Sequence, residues 1–251
     1  MRRPPLRAVF ATALTLTLAG CAHSSSAPHA ASRSRTTTAT TVAPSTTTTT
    51  PATTTTSAAP STTVAAPFTG TISTVTAAQL GSTYHAGCPV GPDGLRLLHL
   101  SYIGFDGAPH VGTMVVNAAV APPVVDAFAQ LFRARFPIRQ MRPVADFGGS
   151  DDVSMAADNT SGFNCRFVAD TTKWSVHAYG EAIDVNTVEN PYLVDGRVEP
   201  PAASAFVDRT NVRPGMAAPG TALNDAFAAI GWYWGGRFHS PDYQHFSKTG
   251  G

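Results

Sequence analysis

Apolar and polar residues fall into short, distinct runs along the chain beyond residue 94. Leu95 to Ile103 and Val111 to Asn117 are apolar-rich runs of strand length, and Phe105-Asp106-Gly107-Ala108 between them has turn chemistry. That pattern predicts a β-hairpin. His110 opens its second arm, where a surface role is expected. Pro122-Pro123 then introduces a 3.6-residue repeat in which Val124, Val125, Phe128, Leu131 and Phe132 share a stripe. The spacing predicts a helix over 124–135, stopped by Pro137. A second helix is expected over Thr221–Ile230, with Leu223, Phe227 and Ile230 inward and Gly231 just past its end. Ala182 to Asn186 reads as a strand, with Ile183 and Val185 on one face and Asp184 and Asn186 on the other. Residues 146–166 read as an irregular polar loop and 187–220 as a long loop bordering a site. Hairpins interspersed with helices give an α+β fold, a mainly antiparallel sheet with flanking helices.

The first third reads differently. Arg2, Arg3 and Arg7 precede an apolar run over residues 8–19, too short for a stable membrane span and suited to an export signal. The run ends in Leu18-Ala19-Gly20-Cys21. Small residues before a cysteine there match a bacterial lipoprotein cleavage box. The expectation is cleavage before Cys21, lipidation of its sulfur and anchoring to the outer face of the bacterial cytoplasmic membrane, facing the cell wall. Residues 22–67 are rich in Thr, Ser, Ala and Pro with almost no large apolar side chains, so they cannot offset the entropy of ordering. A flexible tether of that length spans roughly 35–40 Å. Loss of the three leading arginines turns the formal charge of +1 into −2, which gives no footing for a nucleic-acid partner. Residues 68–251 remain as one domain. With Cys21 set aside, Cys88 and Cys165 make an even count, which outside the cytoplasm favours a disulfide.

The chemistry concentrates in two short stretches, Trp174 to Asn186 and Asp242-Tyr243-Gln244-His245-Phe246. Together they supply two histidines and two carboxylates, the parts of a catalytic zinc site with three ligands and one base. In one extended strand, His177 and Asp184 would stand roughly 23 Å apart. A shared metal therefore requires a turn between them, and Gly180 is the residue that permits one. Asp242 and His245 are three apart. They share a side only across a bend, which Pro241 favours.

Ser175-x-His177-x-x-Gly180-x-Ala182-x-Asp184, followed by Asp242-x-x-His245, resembles the zinc D-alanyl-D-alanine carboxypeptidases and dipeptidases of bacterial cell walls, the VanY-like and VanX-like enzymes. The resemblance extends over roughly residues 80–247 and takes in Asn159 to Arg166 and Gly231 to Gly236. It implies a hedgehog/DD-peptidase-like arrangement whose sheet carries the metal. It implies that His177, Asp184 and His245 are zinc ligands, Asp242 the general base, and Arg166 the group that holds or polarises substrate. Many members carry Glu where this chain has Asp242, so the shorter carboxylate must sit closer to its water. Ser175 is placed to hydrogen-bond substrate or to serve as a structural hydroxyl. The implied activity is hydrolysis of peptidoglycan stem peptides, foremost release of a terminal D-Ala. A wall endopeptidase cutting L-Ala-D-Glu or a cross-link is the alternative within enzymes, and a non-catalytic zinc-stabilised wall-binding module the alternative outside them. The terminal Lys248-Thr249-Gly250 echoes serine enzymes acting on the same substrate. Those need Ser-x-x-Lys, and the two lysines, Lys173 and Lys248, follow Asp170 and His245 at that spacing. His-Glu-x-x-His is absent as well.

Overall fold

The computed structural model describes residues 67–250. The export signal, Cys21 and all of the expected linker except its last residue lie outside the described residues. Strand β1 (Gly70–Thr74) leads into a one-turn helix, α1 (Ala77–Leu80). The Thr76 hydroxyl accepts from the Gln79 N–H while Gln79 Oε1 accepts from the Thr76 N–H, a reciprocal cap that makes so short a helix possible. Strands β2 (Leu95–Ile103) and β3 (Pro109–Asn117) form the expected hairpin, in register from Leu95↔Asn117 to Ile103↔Pro109. β1 adds antiparallel to the other edge of β2. His110 is exposed and pairs with Asp106 at 3.0 Å, in keeping with a surface role.

Helix α2 (Ala121–Arg133) starts at the double proline, whose missing N–H groups cost nothing in a first turn. Val124, Phe128 and Leu131 of its stripe are fully buried, while Phe132 sits at the margin against Phe68. The helix ends ahead of Pro137, because Arg135 takes a positive φ of 53°. The stretch expected to be irregular contains a short helix, α3 (Asp151–Ala156). Ser150 caps it, and Asp151 and Asp152 complement its N-terminus. Beyond strand β4 (Ala182–Asp184), the long loop expected over 187–220 holds a hairpin of β5 (Tyr192–Val194) and β6 (Arg197–Glu199). Asp195-Gly196 turns it, both at positive φ, as two-residue hairpin turns require. Three-residue arms are too short to show a period, which is why the sequence pattern reads as loop. Helix α4 (Ala222–Ala229) buries Leu223 and Phe227, with Gly231 at φ 77° just beyond its end. Strands β7 (Tyr233–Trp234) and β8 (His245–Ser247) complete the chain, and the second sheet has the antiparallel order β4-β8-β7.

One hydrophobic cluster joins the two sheets. Leu98, Leu100, Met114 and Val116 of the first pack with Val124, Phe128 and Phe227 of the helices and with Ile183, Val185 and Phe246 of the second. Full burial of a side chain such as Phe128 is worth about 1.5–3 kcal/mol. A smaller cluster of Leu80, Leu95, Val115 and Phe163 reaches Cys165. Cys88 and Cys165 are bridged, with their Cα atoms 5.9 Å apart.

Candidate metal centre and its cleft

Strand alternation builds half of the centre. In the β4–β8 ladder Ile183 pairs with Phe246 and Asp184 with His245. The first pair points into the core, so the second must point the other way. The strand is shorter than expected. Asn186 has left it with a positive φ of 47°, and its side chain donates to the Pro137 and Gly215 carbonyls instead of joining Asp184.

His177 comes from a single 3-10 turn, Val176–Tyr179. Ser175 caps this turn, its Oγ accepting from the His177 N–H at 3.3 Å. Of the two roles open to Ser175, the structural one is visible, although the residue also borders the cleft. Gly180 ends the turn at φ 67°, and a Cβ there would lie 2.6 Å from the Asn117 N. Only glycine satisfies both constraints. His177 Nδ1 lies 2.7 Å from the Gly162 carbonyl. A carbonyl only accepts, so Nδ1 carries the proton and Nε2 keeps its lone pair for the centre.

Donor atoms of three residues converge there, with both carboxylate oxygens of Asp184 taking part. His177 Nε2 is 3.1 Å from His245 Nδ1 and 3.1 Å from Asp184 Oδ2, and His245 Nδ1 is 3.3 Å from Asp184 Oδ1. All three residues are buried. Metal–ligand bonds of about 2.0–2.1 Å at tetrahedral angles put ligand atoms roughly 3.3 Å apart. The donor set thus fits a divalent metal held on one face and open on the other. Burial on its own would raise the Asp184 carboxyl, but the two imidazoles outweigh it and hold the group well below the carboxylate range. His177 is moved the opposite way: burial disfavours its cation, and Asp184 more than compensates.

Asp242 lies three residues before His245, and the His245 N–H bonds the Asp242 carbonyl at 3.3 Å to close the turn between them. Gly235 packs beneath, where a Cβ would lie 2.6 Å from the Asp242 carbonyl oxygen. Asp242 Oδ1 is buried and has no hydrogen-bond partner among the described residues. Burial pushes this carboxyl up to about 7, with Asp184 and Asp151 adding to the rise and His245 opposing it. Near neutral pH it therefore exchanges a proton readily.

The cleft over these groups has a volume of about 720 Å3. Arg166 lines it and is tied to Asp151 by a 2.6 Å ion pair between Nη2 and Oδ2. Its Nε is buried and has no hydrogen-bond partner among the described residues. The disulfide fixes the preceding residue. Tyr192 stands across a β-bridge from Asp242 and lines the same cleft. The sequence pattern did not single out Asp151 or Tyr192. Asp151 sits on α3, 15 residues before Arg166, and no local spacing announces such a pair. The Gly162 carbonyl is invisible to any reading of side chains.

Residues 169–248 match the family model described as D-alanyl-D-alanine carboxypeptidase. The match covers 80 of the chain's 251 residues. No curated protein and no solved structure matches the chain. The family segment contains His177, Asp184, Asp242 and His245 and supports a peptidase acting on D-Ala-D-Ala or peptidoglycan. It begins after Arg166, Cys165 and Asp151, so their place in the site comes from the geometry of the cleft alone.

Proposed function

We propose that this domain is a zinc-dependent peptidase of peptidoglycan stem peptides, foremost a D,D-carboxypeptidase that releases a terminal D-Ala. The observation that carries the reading is the convergence of His177 Nε2, Asp184 and His245 Nδ1 within 3.3 Å of one another, beside an unpartnered carboxylate oxygen of Asp242. Bound zinc supplies Lewis acidity and lowers the pKa of a water toward neutrality. His177, Asp184 and His245 would hold the ion, with His177 oriented by the Gly162 carbonyl. Asp242 takes the proton of the attacking water on its carboxylate and later passes it to the leaving amine. Arg166, held in place by Asp151, offers its guanidinium to the oxygen of the scissile carbonyl. The site then needs no further protein nucleophile.

The physiological setting follows the same reading. Lipidation at Cys21 would anchor the chain to the outer face of the cytoplasmic membrane, and the linker would let the domain reach the wall. The size of the cleft supports a second reading, an endopeptidase. About 720 Å3 lies in the upper part of the usual range of ligand pockets, about 300–1,000 Å3, and leaves room for chain on both sides of a scissile bond.

The test is mass spectrometry of products from a synthetic stem pentapeptide, with zinc and with a chelator. Zinc-dependent loss of one D-Ala is expected. An internal cut would move the assignment to the endopeptidase, and no product from zinc-loaded protein would defeat the carboxypeptidase and leave a cross-linked substrate or the non-catalytic wall-binding module. Asp242→Ala should lower kcat by about 10²–10⁴-fold while the chain keeps its metal. Normal turnover in that variant would remove Asp242 from the role of base.

A further inference from the structure

A second cavity opens beside the cleft. It holds about 300 Å3, and its walls include Asn224, Asp225, Trp232, Tyr233, Arg237 and Phe238. Phe238 also lines the cleft, so a single ring is common to the two spaces. The volume is at the small end of the range for ligand pockets, about 300–1,000 Å3, which suits one ring better than a run of peptide.

Its lining combines flat apolar faces with unengaged polar groups. Tyr233 is 60 % exposed, yet its backbone is fixed by pairing with Ser247. Trp232 packs on Phe227 at 5.6 Å between ring centres and forms a rigid floor. Asn224 accepts from Thr221 through Oδ1, and its NH2 has no hydrogen-bond acceptor among the described residues. Asp225 and Arg237 make no ion pair among the described residues, although both border this cavity. A carboxylate and a guanidinium together leave the pocket near neutral. They offer an acceptor and donors at once, beside aromatic faces. A phosphate or a peptide carboxylate would meet the Asp225 charge. A neutral ring with hydroxyls and an acetamido group would use every part of the wall.

We propose that this cavity is a subsite for one N-acetylhexosamine unit of the glycan strand, placed so that the attached stem peptide passes Phe238 into the cleft. The proposal rests on the peptidoglycan reading above, and it adds that the enzyme acts on peptide still joined to sugar.

The experiment compares the free stem peptide with the same peptide carried on an N-acetylmuramyl disaccharide, using the zinc-loaded full chain. The sugar-linked substrate should show a KM about ten-fold lower. Tyr233→Ala and Arg237→Ala, both at exposed positions, should each raise that KM to the free-peptide value and leave the kinetics of the free peptide unchanged. Equal KM values in the unaltered protein would overturn the subsite and leave the peptidase reading intact. If neither substrate is cut, the carboxypeptidase reading fails and binding alone judges the subsite. A di-N-acetylated glucosamine disaccharide should then perturb tryptophan fluorescence in the millimolar range, and Arg237→Ala should abolish the change. No change in the unaltered protein would overturn the proposal.

Discussion

The metal side and the substrate side of the cleft are built by different means. His177, Asp184 and His245 are buried and held by backbone and packing: a capped turn, a two-strand ladder and core residues beside the strand ligands. Arg166 and its surroundings lie nearer the surface and are held by side-chain ties, the Cys88–Cys165 bridge and the pair with Asp151. Core packing fixes atoms to the precision that a metal demands, because a packed interior yields little. A disulfide and an ion pair hold a guanidinium firmly enough to meet substrate while leaving its wall able to adjust. The two sides should therefore fail separately.

Breaking the metal side has the largest effect. Asp184→Ala should reduce bound metal from about one ion per chain to nearly none and abolish turnover with it, as read by elemental analysis and product release. Retention of stoichiometric metal would remove Asp184 from the ligand set. Asp151→Asn tests the substrate side. It weakens a charge-assisted bond to Arg166, so kcat/KM should fall about ten-fold with metal content unchanged. A matching loss of metal would show that the two sides are not separate.

The replacement Cys88→Ser with Cys165→Ser should cost about 2–4 kcal/mol of stability in denaturant unfolding, again with metal retained. The smallest effect concerns Glu189, which is neither a residue of the metal centre nor part of the cleft lining. Burial raises its carboxyl to about 7, and Asp158 adds to this. Between the ordinary carboxylate range and about 7, the folded chain holds a proton that the unfolded chain releases, so stability falls as pH rises through that window. Arg139, paired with both carboxylates, limits the size of the loss. Glu189→Gln should flatten the dependence of Tm on pH there. An unchanged slope would exclude Glu189 as its source.

Regular elements were legible where the pattern was long. β2 is a nine-residue run of mostly apolar side chains, and α2 carries an apolar stripe from Val124 to Phe132. The three-residue arms of β5 and β6 carry no such pattern, and α3 shows only its Ser150 cap and two acids. The centre was legible because its chemistry is local: Ser175 to Asp184 encodes cap, ligand, turn and strand within ten residues. Its supports were not. The Gly162 carbonyl, the Asp151 pair and the orphaned Oδ1 of Asp242 depend on parts of the chain brought together only by folding.

The sequence by itself determined which residue types can bind a metal, where the chain must turn between them, and which two cysteines can pair. Spacing and steric freedom along the backbone decide those matters. The tertiary structure alone decided that His177 presents Nε2, that His245 presents Nδ1, and that Arg166 is already paired before any substrate arrives. It also decided that a cavity with unpaired polar groups shares Phe238 with the cleft. Contacts between residues far apart in the chain leave no periodic trace, because their cause is the packing of the two sheets onto a common core.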